Sequence, residues 1–131
     1  MDERARKMAL YEQFSRVGKA LANPARLELL DLLAQGERSV EELAEAAGMK
    51  VSNTSAQLRT LAGAGLVASR RDGVRIYYRL ADQQVSAFVG QVQEFAASRL
   101  AEAEQAARNY LGDVGALEPV SRDELVRRLR W

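Results

Sequence analysis

The chain has 131 residues, 47% of them hydrophobic, and its nineteen Lys and Arg against eighteen Asp and Glu give a net charge of +1. That length suits one domain with a modest core, and a charge so near zero leaves any nucleic-acid reading to rest on where the cations lie. Cysteine and histidine are both absent, which removes disulfides, thiol nucleophiles, imidazole acid–base chemistry and the usual zinc, copper or nickel ligands apart from carboxylates.

No enzyme, cofactor or metal site is therefore expected. The N-terminal stretch MDERARKMALYEQF has no apolar core of a signal peptide, and no run approaches membrane-spanning length. The expectation is a cytoplasmic protein without a membrane partner.

Residues 3–22 read as a helix. Met8, Tyr11, Phe14, Gly18 and Leu21 recur at helical spacing, with Leu10 and Val17 on an adjacent stripe. Asn23-Pro24 then punctuates the chain, since Asn caps well and Pro suits the first helical position. A second helix follows over Pro24–Ala34. Leu27, Leu29, Leu30, Leu32 and Leu33 make it apolar on nearly all sides, as a central core helix is.

Ser39-Val40-Glu41-Glu42 is a capping box, which opens a short third helix over Val40–Ala47. Gly48 closes it, and Gly48-Met49-Lys50 turns into a fourth helix. Two short helices joined by a tight glycine-containing turn are the helix-turn-helix pattern. In the fourth helix Thr54, Leu58 and Leu61 face a core, while Ser52, Ser55, Ala56 and Arg59 fall opposite. Gly63 and Gly65 end it.

Leu66–Arg71 and Val74–Leu80 read as two short strands joined by Asp72-Gly73, a strong hairpin signal. Lys50, Arg59, Arg70, Arg71, Arg75 and Arg79 stand here against the single acid Asp72. A polar-faced helix followed by an arginine-edged hairpin has the shape of a winged helix-turn-helix. The helix would enter the major groove, and the hairpin would lie along the backbone or in the minor groove, the latter through an arginine at its tip. The same residues also fit a helix and hairpin of any small α+β domain whose arginines are a solvated face.

Asp82 can cap one long helix reaching about Gly112. A helix of roughly 30 residues spans about 45 Å, well beyond a small domain, and its apolar stripe needs a partner. The economical partner is the same helix of a second subunit, with residues 3–22 joining in; the alternative is that the helix folds back on its own domain. Met8, Tyr11, Phe14, Val85, Phe88, Val92, Phe95, Leu100 and Tyr110 would form that seam. Residues 1–112 then make a DNA-binding and dimerisation domain. Residues 113–131 make a loop and a short basic helix carrying Arg122, Arg127, Arg128 and Arg130, opened by a second capping box at Ser121–Glu124.

Three stretches carry a family resemblance: KALANPARLELLDLLAQGERSVEELAEAAGM, NTSAQLRTLAGAGLV and SRRDGVRIYYRLAD. Over residues of about 8–112 the chain resembles the ArsR/SmtB family of small dimeric bacterial repressors. The resemblance implies a mostly α fold with a small β-hairpin, and a homodimer that binds a palindromic operator in double-stranded DNA and leaves it on meeting an inducer. The family's base-reading positions fall on Val51, Ser52, Ser55 and Ala56, with Arg59 near phosphate. Lys50 stands where the family usually has a Ser or Thr cap, and Gln57 stands where relatives commonly carry His or Gln. The full expected DNA surface is Lys50, Val51, Ser52, Asn53, Ser55, Ala56, Gln57, Arg59, Arg70, Arg71 and Arg75.

The family's sensing chemistry does not carry over. Ser39, Glu41 and Ala44 occupy the places of the arsenic- or cadmium-binding cysteines. Asp82, Gln84, Phe95 and Ser98 occupy those of the zinc ligands, and only Asp82 keeps a ligand type. A subgroup fused to a rhodanese-like sulfurtransferase domain is closer still, its second domain being reached through a stretch like Leu117–Val126. Two other readings stand beside the repressor: a winged-helix protein–protein interaction module, and the regulatory half of a sulfurtransferase system.

Overall fold

The structure, a computed structural model, describes residues 2–112 and 121–129. Its packing divides the chain into two compact units, residues 1–86 and 87–131. The first begins with α1 (Glu3–Leu21), α2 (Pro24–Ala34), β1 (Arg38–Ser39), α3 (Val40–Ala47) and α4 (Val51–Gly63). The hairpin β2 (Val67–Asp72) and β3 (Arg75–Leu80) follows, then the start of α5 (Gln83–Arg99). The second unit holds the rest of α5, α6 (Ala101–Leu111) and α7 (Arg122–Leu129).

Local sequence starts these helices where expected. Asp2 caps α1 by accepting from the Ala5 amide at 2.7 Å, and Asn23 caps α2 by accepting from Arg26 at 3.1 Å with Pro24 in the first turn. Ser39 and Glu42 form both halves of the capping box on α3, at 3.1 and 2.9 Å. Gly48 takes the left-handed conformation, φ +66°, that turns the chain from α3 into α4. At the far end of α4, Gly65 at φ +78° lets Leu66 donate back to Leu61 and Gly65 to Ala62, a Schellman stop.

The core lies among α2, α3, α4 and the sheet. Leu29, Leu30 and Leu33 of α2, Leu43 of α3, and Thr54, Leu58 and Leu61 of α4 are buried, with Leu66, Val67 and Tyr78 beside them. Thr54 is tolerated there because its hydroxyl donates to the Lys50 carbonyl at 2.9 Å.

The structure corrects four sequence-based expectations. The wing sheet has a third strand, in the order β1-β3-β2, in which Arg38 and Ser39 pair with Tyr78 and Tyr77. A two-residue strand carries no periodicity of its own, so only its distant partner makes it one. The hairpin turn lies one residue later than Asp72-Gly73: Asp72 pairs with Arg75, and Gly73-Val74 make the turn, with Gly73 at φ +64°. The tip side chain is therefore Val74, 94% exposed, and not an arginine. Finally, the single long helix is two. Leu100 sits in extended backbone (φ −110°, ψ 117°), and its carbonyl accepts from Ala103 and Glu104 to begin α6. Good helix formers flank Leu100 on both sides, so nothing in local propensity marks the break. Packing decides it: α6 folds with α7, where Ala107 and Leu125 are buried.

Asp82 does cap α5, accepting from Gln84 and Val85 at 2.8 and 3.3 Å. In the last helix Ser121 accepts from the Glu124 amide at 3.1 Å. The Glu124 carboxylate is taken by Arg127 and Arg128, which tempers that helix's basic face. Arg122 and Arg130 and the loop at 113–120 lie outside the described side chains.

Candidate nucleic-acid interface

The α3–α4 turn and the hairpin place the sequence-singled residues in two groups. On α4, Val51, Ser52, Asn53, Ala56 and Arg59 are exposed, and Ser55 and Gln57 are half-exposed. Ser52, Ser55, Ala56 and Arg59 stand opposite the buried Thr54, Leu58 and Leu61, with Asn53 and Gln57 on the flank toward α2. Lys50 opens the helix without a side-chain cap. The ammonium and the uncapped first turn make that end attractive to a phosphate.

Four side chains of this α4 set are already engaged with one another or with α2. Arg59 donates to the Ser55 hydroxyl at 2.8 Å, one helical turn back. Gln57 accepts from Arg26 at 2.8 Å and donates to Asn53 at 3.2 Å. Arg26 was missed as a contributor by sequence reasoning. The stretch Asn23-Pro24-Ala25-Arg26 signals a helix cap and a family resemblance, and neither points to the Arg26 side chain. Arg16 of α1 also reaches α4, donating to the Gly63 carbonyl at 2.5 Å.

On the wing, register and the two-residue period of a strand sort the arginines by face. Arg71 pairs with Ile76 and shares a face with Ser69 and Tyr78. Arg70, Asp72, Arg75, Tyr77 and Arg79 share the other. Among the described residues, the side chains of Arg71 and Arg75 make no hydrogen bond or ion pair, and both residues are exposed. Arg70 differs. It donates to both Glu37 oxygens, with a shortest contact of 2.6 Å, and its guanidinium lies 4.6 Å over the Tyr77 ring. Asp72 stands 3.9 Å from it. The hydrogen bonds from Arg70 hold the Glu37 carboxyl below the ordinary carboxylate range.

Apolar residues are exposed elsewhere. On α1 these are Met8, Leu10, Tyr11 and Phe14, with Tyr11 and Phe14 edge-to-face at 6.1 Å. On α5 they are Phe88, Val92 and Phe95, with Leu100 and Tyr110 beyond. Val85, placed with this group from the sequence, is buried within its own chain. Among the described residues no group of three or more acidic side chains gathers as a metal site would need, and no helix is long and apolar enough to cross a membrane.

A helix-turn-helix followed by a three-stranded wing defines a winged helix-turn-helix DNA-binding domain. The chain belongs to the ArsR family of bacterial regulatory proteins, whose profile matches residues 23–69. It is 49% identical over 123 residues to the HTH-type transcriptional regulator Rv0324 of Mycobacterium tuberculosis; the match takes in 94% of this chain but only 54% of that protein's length. It is 39% identical over 89 residues to the biofilm growth-associated repressor of Agrobacterium fabrum, across 68% of this chain and 71% of that one. Among solved structures it is similar to the homodimeric winged helix-turn-helix DNA-binding domain Mb0332, residues 1–100, from Mycobacterium bovis. That likeness has a TM-score of 0.68 and 49% identity, over 78% of this chain and 93% of that one. M. tuberculosis Rv0081 is similar at a TM-score of 0.65 and 37% identity, over 71% and 94% of the two chains.

Proposed function

We propose that this chain represses transcription as a cytoplasmic homodimer bound to a palindromic operator. One observation carries the reading: α4 presents an exposed polar and small-residue face beside a wing that keeps Arg71 and Arg75 unpaired. Each α4 enters a major groove, where Val51, Ser52, Asn53, Ser55 and Ala56 meet base edges. Lys50, Arg59, Arg71 and Arg75 neutralise phosphates. Arg70 joins them only by leaving Glu37.

Residues 1–112 form the DNA-binding and dimerisation domain, and residues 113–131 an appended tail. Two copies join through the exposed apolar residues Met8, Tyr11 and Phe14 of α1 and Phe88, Val92, Phe95, Leu100 and Tyr110 of the later helices. A homodimeric solved relative supports this, as do the large apolar side chains left exposed in the single chain. Two-fold symmetry would set the half-sites about 34–36 Å apart. Release from DNA answers to an inducer other than a Cys- or His-bound metal, since the sequence has neither residue.

Selection of bound sequences from a random duplex pool tests the reading, followed by fluorescence anisotropy on the selected and scrambled duplexes across a salt series. A selected two-fold symmetric site supports it. Equal, weak binding to every duplex would hand the lead to a protein–protein module.

A further inference from the structure

A hydrogen-bond chain on α4 has its polarity set from outside the helix. Arg26 of α2 donates Nε to the Ala20 carbonyl at 2.7 Å and Nη2 to the Lys19 carbonyl at 2.8 Å. Both carbonyls lie in the last turn of α1, where intrahelical donors run out and the helix dipole is negative. Two anchors therefore fix the guanidinium, and its planar fork aims Nη1 at Gln57 Oε1, 2.8 Å away. Gln57 Nε2 donates in turn to Asn53 Oδ1 at 3.2 Å. Asn53 Nδ2 then has the Met49 thioether at 3.7 Å, a weak acceptor, and is exposed.

A guanidinium has donors only. Gln57 must therefore turn its carbonyl to Arg26, which leaves its NH2 for Asn53. Asn53 must accept with its carbonyl, which turns its own NH2 outward. Each link has one way round. We propose that Arg26 is a positioning residue for DNA reading: through Gln57 it makes Asn53 present a hydrogen-bond donor to the duplex. The inference depends on the DNA-binding reading above and adds a base preference to it. In the major groove the acceptors are guanine N7 and O6, thymine O4 and adenine N7, while cytosine N4 and adenine N6 are donors. An asparagine with both ends open pairs with adenine through both atoms. Here the carbonyl already accepts from Gln57, so Asn53 presents its NH2, which meets an acceptor on guanine, thymine or adenine and rejects cytosine.

Gln57→Glu tests this without touching Arg26. The carboxylate still accepts from the guanidinium but cannot donate to Asn53. Asn53 must then turn its NH2 to position 57 and its carbonyl outward. The experiment selects duplexes from a random pool with the full-length wild type, Gln57→Glu and Arg26→Ala, and measures affinities for the four bases at each operator position. At one base pair of each half-site the wild type should reject cytosine, and Gln57→Glu should instead favour cytosine or adenine over guanine or thymine, by about tenfold in relative affinity. In Arg26→Ala the preference at that same pair should flatten, and circular dichroism reports whether that variant is folded. A Gln57→Glu protein that weakens on all duplexes alike and keeps the wild-type base overturns the inference, since that is only the effect of an added negative charge. A wild type that selects no sequence overturns the DNA-binding reading itself.

Discussion

Glu37 and Arg70 are joined by a two-point ion pair between the segment before β1 and the first strand of the wing. The pair is half-exposed and stacked on Tyr77, so it orders the guanidinium more than it stabilises the fold. Its consequence is electrostatic. One of the four wing arginines is already neutralised within the chain.

The wing arginines should consequently behave unequally. Arg71→Ala and Arg75→Ala should each lower the salt slope of DNA binding by about 0.9, the value of one phosphate contact. Arg70→Ala should change it by less than half of that. Glu37→Gln should raise affinity for operator and scrambled duplex together, because it frees a cation without altering base contacts. Anisotropy titrations between low and moderate salt check all four variants. Equal slopes for Arg70→Ala and Arg71→Ala would show that the pair opens at no cost.

Acid should destabilise the protein through the same carboxylate. Arg70 hydrogen bonds lower the Glu37 pKa, and the Ser39 backbone hydrogen bond lowers that of Glu42, both from an ordinary value of 4.5. A group with a depressed folded pKa stabilises above its unfolded value and loses that contribution as pH falls through the folded value. The melting temperature should therefore hold above pH 4.5 and fall below it. Glu37→Gln and Glu42→Gln should each flatten that acid limb, which a melting series from neutral to acid pH would reveal.

The capping box on α3 should be worth about 1 kcal/mol. Ser39→Ala removes the hydroxyl that receives the Glu42 amide. Urea denaturation should show a loss of that size with an unchanged slope. By contrast Leu58→Ala, at a fully buried site, should cost about 2–5 kcal/mol.

Dimerisation should fail on charging the exposed aromatics. Phe14→Asp on α1 and Phe95→Asp on α5 replace side chains 60% and 62% exposed in the single chain. In a dimer that buries them, each copy forfeits on the order of 2 kcal/mol of apolar burial. Sedimentation velocity at micromolar concentration should give a dimer for the wild type and a monomer for either variant. A wild-type monomer would refute the seam.

Sequence alone reached much of the helix-turn-helix because its determinants are local. Thr54, Leu58 and Leu61 declare their burial by spacing, and Ser39 and Glu42 declare a helix start three residues apart. The misses share a different cause. Strand β1 exists only by pairing with residues nearly forty positions away. The break at Leu100 depends on α6 meeting α7, across a stretch of uniform helix formers. Arg26 and Gln57 are separated by 31 positions, and Glu37 and Arg70 by 33, so neither partner is visible from the other. A count of cations across the wing registered Arg70 as equivalent to Arg71 because it could not see Glu37.

Ser39 does two jobs at once. It pairs with Tyr77 in the wing sheet, and its hydroxyl holds the first turn of α3. Gly48 then passes that helix directly into α4. If α4 reads the groove and the hairpin grips the backbone as proposed, the two are hinged through the same residue from opposite sides, and neither can slide without unmaking the other. A reader built this way has a fixed gauge between the groove it enters and the backbone it holds. Where an operator departs from that gauge, the duplex has to narrow, twist or bend to fit, and its stiffness becomes part of what is recognised.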